Sequence, residues 1–146
     1  MGGRDPQGRA QGGMTKPTIL LAMRPQGAVA ATRALGEYAT LERAATYDAA
    51  VARLRDRNVD LVVAGIYFDE VRLFDLVRYV RHELPGVPVV CARLGETEVP
   101  AITLEGISIA ATTMGAAAFV DLPILRGEAS LDQEFRSAVL RHVRRR

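Results

Sequence analysis

The chain has 146 residues, 49% apolar and 25% charged, with a formal net charge of +2. These values suit one ordinary globular domain with a core of its own. No run approaches the roughly 18 apolar residues that would mark a membrane span, and so small a net charge gives no reason to expect nucleic acid. The lone Cys91 excludes an internal disulfide and a cysteine-built metal site.

Residues 1–16 are rich in Gly, Arg and Gln and lack the apolar stretch of a signal peptide. They read as a disordered or non-native extension ahead of a domain over 17–146, and the protein reads as cytoplasmic. Thr18 to Met23 has the continuous apolar character of a buried strand. Gln26 to Tyr38 forms a short Ala-rich helix and Ala39 to Ala44 a brief second strand. Tyr47 to Arg57 is helical, with Ala50, Val51 and Leu54 inward and Arg53, Arg55, Asp56 and Arg57 towards water.

Asp60 opens a third strand that runs through Ala64 and stops at Gly65. Asp69 is placed to cap a helix carrying Leu73, Leu76, Val77 and Val80 at spacings of three and four, and Pro85-Gly86 ends it. Val87 to Ala92 is the fourth strand, in which Cys91 reads as a small buried hydrophobe. Pro100 then suits the first turn of a helix on which Ile102, Ile109, Ala110 and Thr113 share a face. This stretch also holds Val99, Leu104 and Ile107, more apolar residues than one face buries. Ala117 to Leu122 is the fifth strand, followed by Pro123. Ser130-Leu-Asp-Gln133 has the form of a capping box, opening a helix whose stripe is Leu131, Phe135, Ala138, Val139 and His142. Strands alternating with helices five times over call for a parallel sheet covered on both faces. With aromatics at 5% and no Trp, that core is built of Val, Leu, Ile and Ala.

Two blocks carry a family resemblance. Asp60-Leu-Val-Val-Ala-Gly65 leads to Leu76-Val-Arg-Tyr-Val-Arg81 and then Pro85-Gly-Val-Pro-Val-Val90; later comes Gly115-Ala-Ala-Ala-Phe-Val-Asp-Leu-Pro123. Over Pro17 to Val143 the chain resembles the receiver domain of two-component response regulators. The resemblance implies an α/β, flavodoxin-like receiver fold, a doubly wound five-stranded parallel sheet in the order 2-1-3-4-5.

It also implies a chemistry that this chain lacks. The family's magnesium-binding acidic pair aligns with Met23 and Arg24, its phosphoryl-accepting aspartate with Gly65, its switch threonine or serine with Arg93, and its lysine with Leu122. Only Phe119, at the aromatic switch position, and Pro123, at the cis-proline position, keep their types. A divalent cation beside an acyl phosphate needs several oxygen ligands, so nucleophile and metal are lost together. Asp69 is a poor substitute acceptor, since capping explains it.

The remaining motifs assign no catalytic residue, cofactor or metal. Pro25-Gln26-Gly27 is neither a phosphate loop nor a dinucleotide fingerprint. His82 and His142 have no nucleophile or carboxylate at a catalytic spacing, and no nucleophile elbow or zinc-hydrolase motif occurs. Arg24 and Arg93 are candidate anion-binding residues at the sheet's carboxyl edge, to be weighed against pairing with Asp69 or Glu96. The basic run Arg141 to Arg146 is explained by a helix C-terminus. The expectation is therefore a non-enzymatic pseudo-receiver that binds a signalling protein or a second copy of itself. The expected contact face is the fourth helix, fifth strand and fifth helix, with Ile102, Ile109, Phe119, Leu131 and Phe135 as interface residues. A sensor of a small anionic ligand, phosphate or nucleotide, at Arg24, Gly65 and Arg93 is the alternative.

Overall fold

The computed structural model describes residues 15–56, 58–95, 99–123 and 128–144. The extension up to Met14, Arg57, Glu96 to Glu98, residues 124–127, and Arg145 with Arg146 lie outside the described residues. In chain order the elements are β1 (Thr18–Ala22), α1 (Pro25–Leu35), β2 (Thr40–Ala44), α2 (Tyr47–Asp56) and β3 (Leu61–Gly65). They continue with α3 (Leu73–Glu83), β4 (Val89–Leu94), α4 (Ala101–Thr113), β5 (Ala118–Leu122) and α5 (Ala129–Leu140). All four strand pairs are parallel and the sheet order is β2-β1-β3-β4-β5, as the alternating pattern required.

Because strand side chains alternate between faces, each central strand feeds two cores. Leu20, Ala22, Val62, Ala64, Val89 and Cys91 join Leu54, Leu76, Val77 and Val80 beneath α2, α3 and α4. Ile19, Leu21, Leu61, Val63, Val90 and Ala92 join Ala30, Ala34, Leu35, Phe135 and Val139 beneath α1 and α5. The small alanines of α1 let it lie close to the sheet. Its outer edge is tied to α5 by Arg33, which pairs with Asp132 at 2.8 Å, and by Arg136, which lies over the Tyr38 ring and donates to the Ala34 carbonyl.

Four expectations need correction. Asp69 does not cap α3, whose start at Arg72 has no side-chain cap; its carboxylate instead accepts the backbone N–H of Tyr47, at 2.8 Å, and so serves the start of α2. Ser130 heads no capping box, because α5 begins a residue earlier and its N-cap position, Glu128, makes no side-chain bond. Phe135 is only 2% exposed and belongs to the core, not to an interface. No cis peptide bond occurs among the described residues, so Leu122–Pro123 is trans. The face α4 turns inward is Leu104, Ile107 and Ala111. Ile102 and Ile109, 78% and 59% exposed, form the opposite side.

Asp60 is the buried acid at the amino edge of β3, 4% exposed. Its carboxylate accepts the Thr18 N–H at 2.9 Å and faces Arg144 Nε at 3.5 Å. Arg144 also donates through its backbone to the Asp60 carbonyl and through its guanidinium to Asn58. A buried charge is tolerated only when partnered in this way.

Candidate functional site

In open α/β sheets ligands bind in the crevice beyond the carboxyl ends of the strands. Here that edge is formed by the loops after β1, β3 and β4. Gly65 continues the alternation of Leu61 and Val63 and faces the α1 side. A Cβ placed on it would lie 3.1 Å from Met23 Cβ and 3.9 Å from Leu94 Cδ1. A Cβ on Gly27, in the first turn of α1, would lie 3.1 Å from the same Leu94 Cδ1 and 3.5 Å from Met23 Sδ. The two glycines thus let β3 and α1 close on Met23 and Leu94, which are 2% and 3% exposed. Leu122, wholly buried, pairs with Leu94 in the β4–β5 register and joins the same core. Among the described residues, apolar side chains fill the space beside Gly65 and Gly27.

Of the positions singled out from the sequence, Met23, Gly65 and Leu122 therefore meet in this plug. Arg93 does not join them. It alternates with Cys91 onto the other face of β4, where Asp121, its register partner on β5, takes Nε at 2.6 Å and Nη2 at 3.0 Å. A bidentate pair of this kind satisfies much of the fork of an arginine. Arg24 lies on the Tyr67 ring, 5.2 Å from its centroid. The residue that sequence comparison passed over is Leu94. The signal was available in the period-two alternation, since Leu94 follows Val90 and Ala92 onto the α1 side.

Among the described residues no carboxylate contributes to the plug, and no group of three or more His, Cys, Asp or Glu side chains is placed to hold a metal ion. A divalent cation does not fit these residues. Asp69, the nearest acid in sequence, is engaged with the Tyr47 amide. Cys91 offers no nucleophile either: it is fully buried, and burial pushes its thiol up to about 12. No helix among the described residues is long and apolar enough to cross a membrane.

The interface candidates divide. Ile102 and Ile109 stand exposed on α4, whereas Phe119 and Leu131 are half-buried against the two cores.

No protein-family model and no curated protein sequence matches the chain. Solved structures do. The signal receiver domain of a two-component response regulator from Bacteroides fragilis superposes with a TM-score of 0.70 at 16% identity, over 90% of this chain and 100% of that one. NtrX from Brucella abortus gives 0.68 at 19% identity over 88% of this chain, which spans only 27% of NtrX. An orphan response regulator from H. pylori gives 0.64 at 13% identity, over 88% of this chain and 97% of that one. At these identities the likeness is one of architecture: the chain has the fold of response-regulator receiver domains.

Proposed function

We propose that this chain is an atypical receiver-like signalling module that accepts no phosphoryl group and acts by protein contact. The observation that carries this reading is the packing at Gly65. The position where a phosphoacceptor would stand has no side chain, and one added there would press on Met23 Cβ at 3.1 Å. At the positions of the family's acidic pair, nucleophile and lysine stand Met23, Arg24, Gly65 and Leu122, a joint change that suits a fold kept for its surface and freed from its chemistry. The contact face is that of α4, β5 and α5, where Ile102 and Ile109 are exposed. It receives a signalling protein or a second copy of the chain in the cytoplasm, with no catalytic step and no cofactor.

A sensor of small anions at Arg24 and Arg93 has less behind it, because Asp121 already offsets the charge of Arg93. Native mass spectrometry of the full chain at low micromolar concentration tests both readings. A dimer without added mass that is lost in Ile109→Glu supports the contact module. A monomer carrying a stoichiometric small molecule, released by Arg93→Ala, overturns it in favour of the sensor. Labelling of the unmodified chain by acetyl phosphate would overturn the premise itself.

A further inference from the structure

The helical side of the sheet that carries α2, α3 and α4 has a ridge without a cover and a groove without a filling. The ridge is the outer side of α4. Its exposed Ile102 and Ile109 stand two helical turns, about 10 Å, apart. Gly106 lies between them, and a Cβ added there would meet nothing within 4 Å, so another chain can approach closely at this point. Glu105, the single charge of the helix, borders the ridge. It is exposed and has no ion-pair partner among the described residues.

The groove runs between α2 and α3. Tyr47 and Tyr79 meet across it edge to face, with ring centroids 6.4 Å apart. The pair is shared by two hollows of about 520 and 410 Å³. Asp48, Val51, Ala52 and Arg55 of α2 line the smaller; the larger has Arg72, Asp75 and Arg78 of α3. Tyr47 is held from two sides: Asp69, itself at φ 44°, accepts its N–H, and Arg72 lies 4.0 Å from its ring centroid. Arg72 and Arg78 share the single carboxylate of Asp75, while Glu83, the other acid of that hollow, faces His82 at 3.1 Å. This wall of the groove therefore carries surplus positive charge. Tyrosines and arginines gathered around hollows have the composition of protein-contact hot spots.

We infer that the α4 ridge of one copy of this chain seats in the α2–α3 groove of a second, and the ridge of the second in the groove of the first. Ridge and groove lie on the same side of the sheet, so one two-fold rotation makes both contacts and closes the assembly at a dimer. Each isoleucine fills one hollow beside the tyrosine pair. Glu105 meets Arg78, whose side chain is 66% exposed. The inference rests on the contact face proposed for α4 and supplies the surface opposite it, which is neither β5 nor a second α4.

The test weighs variants of the full chain by native mass spectrometry and measures their dimer affinity by sedimentation. The parent is expected to dimerise. Ala52→Glu, which puts a charge into one hollow, and Ile109→Glu, which breaks the ridge, should each weaken the dimer at least tenfold. Mixed together, these two variants, which differ in mass, should form a heterodimer tighter than either homodimer, because the ridge of the first meets the intact groove of the second. Arg78→Glu should weaken the dimer, and Glu105→Lys added to the same chain should restore it. Melting temperatures should stay near that of the parent, since all four side chains are exposed. A dimer lost in Ile109→Glu but unchanged in Ala52→Glu and Arg78→Glu would overturn the groove and leave the α4 contact standing. A mixture no tighter than its components, or a monomeric parent, would overturn the reciprocal dimer. A dimer indifferent to Ile109→Glu would overturn the α4 contact as well.

Discussion

Met23 and Gly65 face one another across the β1–β3 pair so closely that even a methyl group on the glycine would press on the methionine at 3.1 Å. Installing a phosphoacceptor by Gly65→Asp therefore places a carboxylate against Met23 and Leu94. Overpacking and an unsatisfied buried charge together should lower unfolding free energy by roughly 2–4 kcal/mol. Urea denaturation reads that loss, and incubation with acetyl phosphate should add no mass to the variant. A stable, labelled variant would show that the plug yields more easily than its packing suggests.

Cys91 should be silent towards alkylation in the native state. With its thiol pushed up to about 12 by burial, it holds at pH 8 roughly a thousandth of the thiolate of an ordinary cysteine. Iodoacetamide should modify it only in urea, as followed by intact mass. Native labelling at a rate near that of the denatured chain would mean that β4 opens readily.

The Arg33–Asp132 pair gives the fold a definite acid response. The hydrogen bond from Arg33, reinforced by its charge, holds Asp132 below the ordinary aspartate value of 3.8. A depressed carboxylate stabilises the folded state above its unfolded value and loses that contribution as the pH falls through the folded one. Asp132→Asn should thus cost at most about 1 kcal/mol at pH 7 and nothing once the pH lies below the depressed value. Urea unfolding of both proteins at a series of pH values should show the two stabilities converge in acid.

Asp69 serves two ends at once, and two substitutions separate them. Asp69→Ala removes the acceptor for the Tyr47 N–H and leaves a side chain at positive φ, so it should cost about 1 kcal/mol. Asp69→Gly loses the same acceptor but takes the left-handed conformation without strain, and should cost less. Amide exchange at Tyr47 should rise in both. Unchanged exchange there would mean that the hydrogen bond carries no weight.

Much of the architecture was legible in the sequence because its signals are local. The apolar runs of β1, β3 and β4 and the three-and-four spacing of Leu73, Leu76, Val77 and Val80 allow one reading. The outward side of α4 was less legible, because that helix carries a single charge, Glu105, and its apolar residues occur on nearly every side. Packing against the neighbouring elements, not periodicity, selects Leu104, Ile107 and Ala111 for burial. Asp69 and Ser130 were misread for a shared reason: each has the side chain of a cap, and only the fold decides which amide it meets. The apolar character of the crevice was visible at Met23, Gly65 and Leu122. Its filling was not, since Leu94 enters through the pleat of β4 and the closeness of Gly27 arises from how α1 lies on the sheet.

The single carboxylate of Asp60 joins segments 42 and 84 residues away along the chain, at Thr18 and Arg144. Contacts of such separation carry a large loop-closure cost until intervening structure brings their ends together. This three-way knot is thus expected to form late, when the first strand and the segment after α5 have both arrived. Interactions made after the rate-limiting step govern how fast a protein comes apart more than how fast it assembles. Arg144→Ala should therefore speed unfolding more than it slows refolding, as stopped-flow measurement would read, which makes the arginine after the last helix a latch at the sheet's amino edge, opposite the loops after β1, β3 and β4.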